Sequence, residues 1–323
     1  MDETTLELRE MRDADIEGVA AVMSADSADS AISGETLRHI YKTLGKSAKP
    51  YDVVVVDRSS QTVVGTGSLF NIVIMTDPEF QWAACDVLPE YRRRGIGSRL
   101  FDALLAEAKR RGLRGLRAQV RAGSVEGLKF AEIRDFVERR RVWRSTLDLA
   151  TADTSLLSQL ERDLSAGGVS ITDLSHEGPN DVTVAHRLHD LMEGSGRDLP
   201  VLGPRTGMTF DEFRQFFLEG PNVLPDAWFI AIHGETYVGF SFGSRDAARP
   251  GALLQNYTGT LPEYRRRKIA LALKLRLIDY AKRAGYERVF ASNDSLNVPM
   301  WTLNQRLGFH KFNERIQLEC VFS

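Results

Sequence analysis

Leu88-Pro89-Glu90-Tyr91-Arg92-Arg93-Arg94 recurs, letter for letter, as Leu261-Pro262-Glu263-Tyr264-Arg265-Arg266-Arg267. Each copy is followed by the pattern of a helix beginning. The offset from residue 88 to residue 261 is 173, and the same offset carries Ala108-Lys109-Arg110 onto Ala281-Lys282-Arg283 and Gly112 onto Gly285. Asp135-Phe136 lands on Gly308-Phe309, so the copies stay in step with no net insertion or deletion. Solenoid units run roughly 20 to 50 residues, far shorter than this period. The repeat is therefore a whole domain, and 323 residues suffice for two domains that each bury a core. The expected boundaries are residues 1–149 for the first domain, 150–166 for a helical connector and 167–323 for the second.

Composition limits the function classes. With 43% hydrophobic and 27% charged residues the chain is an ordinary globular one. Lys+Arg 42 against Asp+Glu 44 leaves a formal charge of −2, which disfavours general binding to nucleic acid or an anionic membrane. The start, MDETTLELRE, is acidic and lacks an apolar run, and no window elsewhere approaches the roughly 18 apolar residues of a span. A cytoplasmic monomer or homodimer is expected. Cys85 and Cys320, each inside a strand-like segment, make neither a disulfide framework nor a zinc site and read as core packing.

Along the first half, short strands alternate with helices. Leu6 to Met11 alternates apolar and polar, and Asp13 caps a helix carrying Ile16, Val19, Ala20 and Met23 on one face. Ser24 to Ser33 reads as loop, Glu35 to Leu44 as helix, Val53 to Val56 as a buried strand, and Val63 to Ile74 as its hairpin partner. A fourth strand, Phe80 to Leu88, leads into the repeated motif. The helix after it runs to Arg111 with Ile96, Leu100, Leu104 and Ala108 on one stripe, and Gly112 stops it. Leu116 to Val120, a helix over Val125 to Ile133 and a closing strand from Val137 to Leu147 complete the unit. The second half repeats this order, its stripe formed by Ile269, Leu273, Leu277 and Ala281. Between the halves, Leu156, Leu157, Leu160 and Leu164 have helical spacing. The Gly- and Pro-rich loop from Gly194 to Gly207 occupies the place of Ser24 to Ser33, and both loops are candidate acceptor-site lids or plain connections.

The chemistry starts at Arg92-Arg93-Arg94-Gly95-Ile96-Gly97-Ser98, between a strand and an amphipathic helix. Glycines let backbone approach a ligand, and a first helical turn offers unpaired N–H groups at the positive end of the helix dipole. Together they form an anion site, and the arginines suit a pyrophosphate or a 3′-phosphate. An Arg-rich turn alone is weak, since a charge run is usually a solvated face. The strand-turn-helix context and its repetition strengthen it.

Arg92, Gly95 and Gly97 match R/Q-x-x-G-x-G/A, the pyrophosphate loop of the GNAT superfamily of N-acetyltransferases, and the whole chain resembles two such domains in tandem. The resemblance implies an α/β (α+β) fold in which each domain has a mixed, mostly antiparallel sheet, a splayed central strand pair and flanking helices. It implies acetyl-CoA as acyl donor and no metal, with Val87, Arg92, Arg94, Gly95, Ile96, Gly97 and Ser98 as cofactor contacts in the first domain. Val87 pairs its backbone with the pantetheine arm, which enters between the strand ending at Val87 and the strand from Leu116 to Val120. In the second copy, Arg265-Arg266-Arg267-Lys268-Ile269-Ala270 puts Lys268 where the first Gly is expected. Placed in the first helical turn, Lys268 is expected to keep a negative φ and still present its N–H. The matching contacts there are Thr260, Arg265, Arg267, Lys268, Ala270, Asn297 and Asn304. Asn293 and Asn297 also suit helix capping and turns.

By the same resemblance the reaction is direct attack of a small-molecule amine on the thioester. Many members use a Tyr as general acid where this sequence has Ala131 and Asn304, so neither copy has it. Glu79, Asp86 and Tyr257 are the candidate bases. Two alternatives stand beside this reading: a non-catalytic acyl-CoA-binding or scaffold protein, and a tandem biosynthetic transferase resembling mycothiol synthase. Other features weigh less. His186 and His189 lack further ligands for a metal. Arg139-Arg140-Arg141 with Trp143 is expected to keep a strand soluble or to pair with acids. Phe210, Phe213, Phe216 and Phe217 have helical spacing and are expected in the core, or lining an apolar acceptor pocket.

Overall fold

The computed structural model describes residues 5–25, 32–43, 50–72, 77–246 and 249–322. In chain order the first half contains β1 (Leu6–Glu10), α1 (Ile16–Ser24), α2 (Gly34–Thr43), β2 (Tyr51–Asp57), β3 (Thr62–Phe70) and β4 (Phe80–Val87). It continues with α3 (Ile96–Arg110), β5 (Gly115–Arg121), α4 (Val125–Glu132) and β6 (Val137–Asp148). The second half contains α5 (Leu157–Ala166), β7 (Val169–Asp173), α6 (Leu174–Glu177), α7 (Val182–Ser195) and α8 (Phe210–Phe213), the last running into a π-helical turn over Arg214–Leu218. Then follow β8 (Val223–His233), β9 (Thr236–Arg245), β10 (Ala252–Thr260), α9 (Ile269–Arg283), β11 (Arg288–Asp294), α10 (Val298–Arg306) and β12 (His310–Val321). The extents of α3 and α9 coincide under the offset of the repeat. Most of the expected loop from Ser24 to Ser33, Leu44, and the end of the strand expected to reach Ile74 lie outside the described residues.

The chain divides into two compact units whose boundaries fall inside two strands. Unit 1 comprises Met1–Arg139, Val201–Gly207 and Arg315–Ser323; unit 2 comprises Arg140–Pro200 and Met208–Glu314. This departs from the expected linear boundaries at 149 and 166, and from the expectation that Val137 to Leu147 closes the first unit's sheet. In unit 1 the free edge of β5 is covered by the end of β12, with Arg315 opposite Arg121 and Val321 opposite Gly115. In unit 2, β11 pairs with β6, from Arg288 opposite Asp148 to Asp294 opposite Val142. Alternating apolar residues specify a strand but not its neighbour, and the two closing strands occupy equivalent places in the repeat.

Within unit 1 the sheet runs β1, β2, β3, β4, β5 and the end of β12, with only β4 and β5 parallel. One face packs against α3, where Leu100, Leu104 and Ala108 are fully buried with Val55, Val64, Leu69 and Leu116. Each such leucine contributes roughly 1.5–3 kcal/mol by leaving water. The opposite face meets α1 and α2 through Ile16, Val19, Leu37, Val54 and Val56. Gly112, at φ +70, ends α3 as expected: its N–H bonds to Lys109 and that of Leu113 to Ala108, a Schellman closure that only a left-handed residue completes. Arg117 on β5 is buried between Asp77 at 2.8 Å and Glu319 at 3.1 Å, over the ring of Phe80.

Unit 2 repeats the plan as β6, β11, β10, β9, β8 and β7, with β10 and β11 parallel. Leu157, Leu160 and Leu164 of α5 join its α9-side core, so the leucine spacing between the repeats does mark a docked helix. Leu156, one of the four, is exposed just before it. On the α7 side, Trp228, Phe240 and Phe242 are buried with Phe213, and the Trp228 and Phe242 rings stack at 4.0 Å. The Arg139-Arg140-Arg141 run pairs with acids: Arg139 with Glu319, the buried Arg140 with Asp294, and Arg141 with Glu314. Among the described residues no helix is long and apolar enough to cross a membrane.

Candidate active site

In both units the parallel strand pair separates partway along. β4 and β5 are paired only from Phe80 to Trp82, against Gly115 to Arg117, and the ladder then stops. β10 and β11 are paired from Ala252 to Gln255, against Arg288 to Ala291. Beyond these points lies a cleft between two strands whose edge amides and carbonyls face one another without pairing. A bulge between Gln255 and Thr258 re-aims β10 at this point, whereas β4 stays in register with β3 throughout.

The turn that follows each strand has the same backbone in both copies. Arg92 and Arg265 are extended, Arg93 and Arg266 both have φ +62, and the residue that caps the helix is left-handed: Gly95 at +77 and Lys268 at +62. The expectation that Lys268 sits inside the first helical turn with negative φ is overturned. It stands one position earlier, as N-cap, because the turn needs a left-handed residue there whichever side chain the sequence supplies. A Cβ built on Gly95 meets nothing within 4 Å, so the space in front of the first loop is open. The N–H groups of Ile96, Gly97 and Ser98 on α3, and of Ile269 and Ala270 on α9, begin their helices and have no helical acceptor.

The arginines divide the work. Arg92 Nε donates to the Val87 carbonyl at 3.1 Å and Arg265 Nε to the Thr260 carbonyl at 3.3 Å, so each ties the turn to the end of its strand. Arg94 lies over Tyr91 and donates to the Glu90 carbonyl, while Arg267 lies over Tyr264. A cation outside the motif completes the first site. Arg134 stacks on Phe130, 3.6 Å from its centroid, and donates to Ser98 Oγ at 2.9 Å. Sequence reading missed it as a site residue; the signal was the offset, which sets Arg134 against the apolar Leu307.

The remaining candidates scatter. Asp86 lies on β4 beyond the last β4–β5 pair, opposite Thr66 of β3. Glu79 lies at the other end of β4, its side chain paired with Arg114, a strand length of roughly 25 Å from the loop. Tyr257 sits in the β10 bulge, packed against Phe217 and Phe242. Asn297 caps α10, accepting from the Met300 N–H, as the capping reading expected. Asn293 is not a cap: it lies within β11 and accepts from Ser145 Oγ at 2.7 Å. Asn304 on α10 is 1% exposed. Thr260 Oγ1, Asn293 Nδ2 and Asn304 Oδ1 are buried with no hydrogen-bond partner, a costly condition in a folded protein.

The thiol of Cys85, on the α3 side of β4, is pushed up to about 12, first by burial and then by Asp86. His189 Nε2 donates to the Met208 carbonyl at 2.7 Å, and His186 stacks on Phe210 at 3.6 Å. Among the described residues no group of His, Cys, Asp and Glu is arranged to hold a metal.

These features coincide with known proteins. The model of the acetyltransferase (GNAT) family matches residues 23–136 and again 188–309. The fold is similar to a GCN5-related N-acetyltransferase from Sphaerobacter thermophilus, at TM-score 0.71 and 17% identity over 99% of this chain and 97% of that one. It is also similar to a tandem GNAT protein from the clavulanic acid biosynthesis pathway, at TM-score 0.73 and 19% identity over 98% of each chain. No curated protein matches the sequence. At these identities the structural likenesses speak for the fold alone, while the two matches of the family model together cover most of the chain. The chain belongs to the GNAT acetyltransferase family and carries two of its domains in tandem.

Proposed function

We propose that the protein is an N-acetyltransferase that moves an acetyl group from acetyl-CoA to the amine of a small molecule, and that unit 1 performs the chemistry. The observation that carries this reading is the first loop, where Gly95 takes the left-handed conformation without a side chain in front of the helix start. When bound, acetyl-CoA supplies the activated acetyl group. Ile96, Gly97 and Ser98 offer N–H groups to its pyrophosphate, and Arg134 adds a guanidinium beside them. The separated strands offer their edge groups to the pantetheine arm, with Val87 at the loop end. Holding both reactants supplies much of the rate. Asp86, on the strand face away from α3, accepts the proton of the incoming ammonium directly or through water.

A second reading concerns unit 2, whose cleft also accepts a pantetheine arm. The unpartnered Thr260, Asn293 and Asn304 favour it, while the side chain of Lys268 at the loop disfavours it.

Calorimetric titration of acetyl-CoA into the wild type, Gly95→Glu and Lys268→Glu tests both readings. Lys268 already shows that this turn folds around a side chain, so Gly95→Glu should fold. Loss of binding in Gly95→Glu, with the other variant unaffected, is the expected outcome. Binding that survives Gly95→Glu and fails in Lys268→Glu would move the working site to unit 2. No binding to the wild type would leave a scaffold protein.

A further inference from the structure

In unit 1 the sheet face away from α3 carries two carboxylates, Asp52 and Asp86, where unit 2 has an aromatic face. Gly65 and Gly67 of β3 aim toward Ile96 and Leu100 of α3, so Thr66 and Ser68 between and after them face the other way, toward α1 and α2. Strand pairing places Asp52, Ser68 and Ala84 in one row across β2, β3 and β4, and Thr66 opposite Asp86 in the next. Trp82 belongs to the same face, one alternation before Ala84, where the β4–β5 ladder ends.

Asp52 holds no cation among the described residues. Its carboxylate accepts from Ser68 Oγ at 2.5 Å and from the Tyr41 hydroxyl, and burial raises its pKa against the pull of those two bonds. A second observation is independent of it: Thr66 Oγ1 and Trp82 Nε1, in residues 4% and 5% exposed, have no hydrogen-bond partner. Orphaned polar atoms and a hydrogen-bonded carboxylate without a cation on one face suit a polar, cationic guest. In unit 2 the face toward α7 is filled instead by Trp228, Phe240, Phe242 and Tyr257.

We propose that unit 1 takes an acceptor with two cationic amines, one ammonium held at Asp52 while the other amine, the one acetylated, lies at the β4–β5 cleft. The inference rests on the transfer reading above for the fate of the second amine. β2 and β4 are two strand spacings apart, roughly 10 Å, so the acceptor is an extended diamine with its nitrogens about that far apart. Asp52 selects the substrate and takes no part in bond making.

The test titrates diaminooctane and, separately, octylamine into the full chain in the presence of CoA, for the wild type, Asp52→Asn and Ser68→Ala, with thermal melts to verify folding. Diaminooctane is expected to bind the wild type more tightly than octylamine and to lose roughly tenfold in Asp52→Asn, the order expected for a charge-assisted contact. Ser68→Ala keeps the charge and is expected to keep the preference for the diamine. Equal affinity for the two ligands, no loss in Asp52→Asn, or no binding of either would overturn the proposal. Acetyl transfer from acetyl-CoA, followed in parallel, separates the two readings. Diamine bound through Asp52 without turnover would overturn the transferase and leave the cation site. Octylamine and diaminooctane acetylated alike, with Asp52→Asn changing neither, would do the reverse.

Discussion

Lys274 occupies in α9 the position that Phe101 occupies in α3, and it is 2% exposed. The repeat has exchanged its charges: Arg134, in the turn after α4, covers Phe101 in unit 1, whereas in unit 2 the cation has moved onto the central helix and Leu307 takes the place of Arg134 in the repeat. Lys274 Nζ lies 5.5 Å from the Phe309 ring, and burial alone lowers its pKa to about 7. The lowered value fixes the sign of its effect on stability. Below about pH 7 the amine is charged in both folded and unfolded chains, and the folded state bears the whole cost of burying it. Between about pH 7 and the ordinary lysine range only the unfolded chain holds the proton, so that cost fades as pH rises. Lys274→Met is therefore expected to raise the unfolding temperature by several degrees at pH 6 to 7, with the advantage shrinking toward pH 10. Calorimetric scans of both proteins across that range check it, and a constant difference would reject the titration. Nothing in the single sequence announced this: a lysine on a helix reads as solvated until the helix is known to be covered on that side.

At the scale of elements, the strand-turn-helix around each LPEYRRR was legible, down to the Schellman ends at Gly112 and Gly285, because glycine position and apolar spacing determine such a unit locally. The conformation of Lys268 was not. The turn imposes it through Arg265, which is tied to the Thr260 carbonyl and also to Asp198 and the Ser195 carbonyl. A left-handed side-chain-bearing residue costs roughly 1–2 kcal/mol. Lys268→Gly is expected to stabilise unit 2 by about 1 kcal/mol, a shift of roughly 2–4 °C in its transition. Differential scanning calorimetry would show it, and a loss of stability would mean that the ammonium makes a compensating contact. The acceptor face was half legible. Asp86 and Tyr257 were named from their strands, but Asp52, Ser68 and Tyr41 come together only through register and a helix crossing, which periodicity does not encode.

For the whole molecule, the duplication was readable from seven repeated letters, and the fold class came from the resemblance of Arg92, Gly95 and Gly97 to the GNAT loop. The exchange of closing strands was not, because β6 and β12 are equivalent strands and either satisfies either edge by pattern alone. It has a direct consequence for dissection. A fragment of residues 1–149 lacks the Arg315–Val321 strand that covers β5 and is expected to be aggregated or partly unfolded. Residues 1–139 joined by a flexible linker to 315–323 should fold. Circular dichroism melts and size exclusion of the two polypeptides distinguish these outcomes, and a cooperative, monomeric 1–149 fragment would show that the exchange is dispensable.

The order in which the ribosome makes the chain adds a last consequence. β5 is finished at residue 121, but the segment that covers its edge begins at residue 315. At about 5–20 residues per second, that edge waits roughly 10–40 s during each round of synthesis. The unit begun first is thus completed only after the strands of unit 2 have been made, and it depends on residues 315–321. A chain stopped at residue 314 would keep all of unit 2 and strike the proposed catalytic unit.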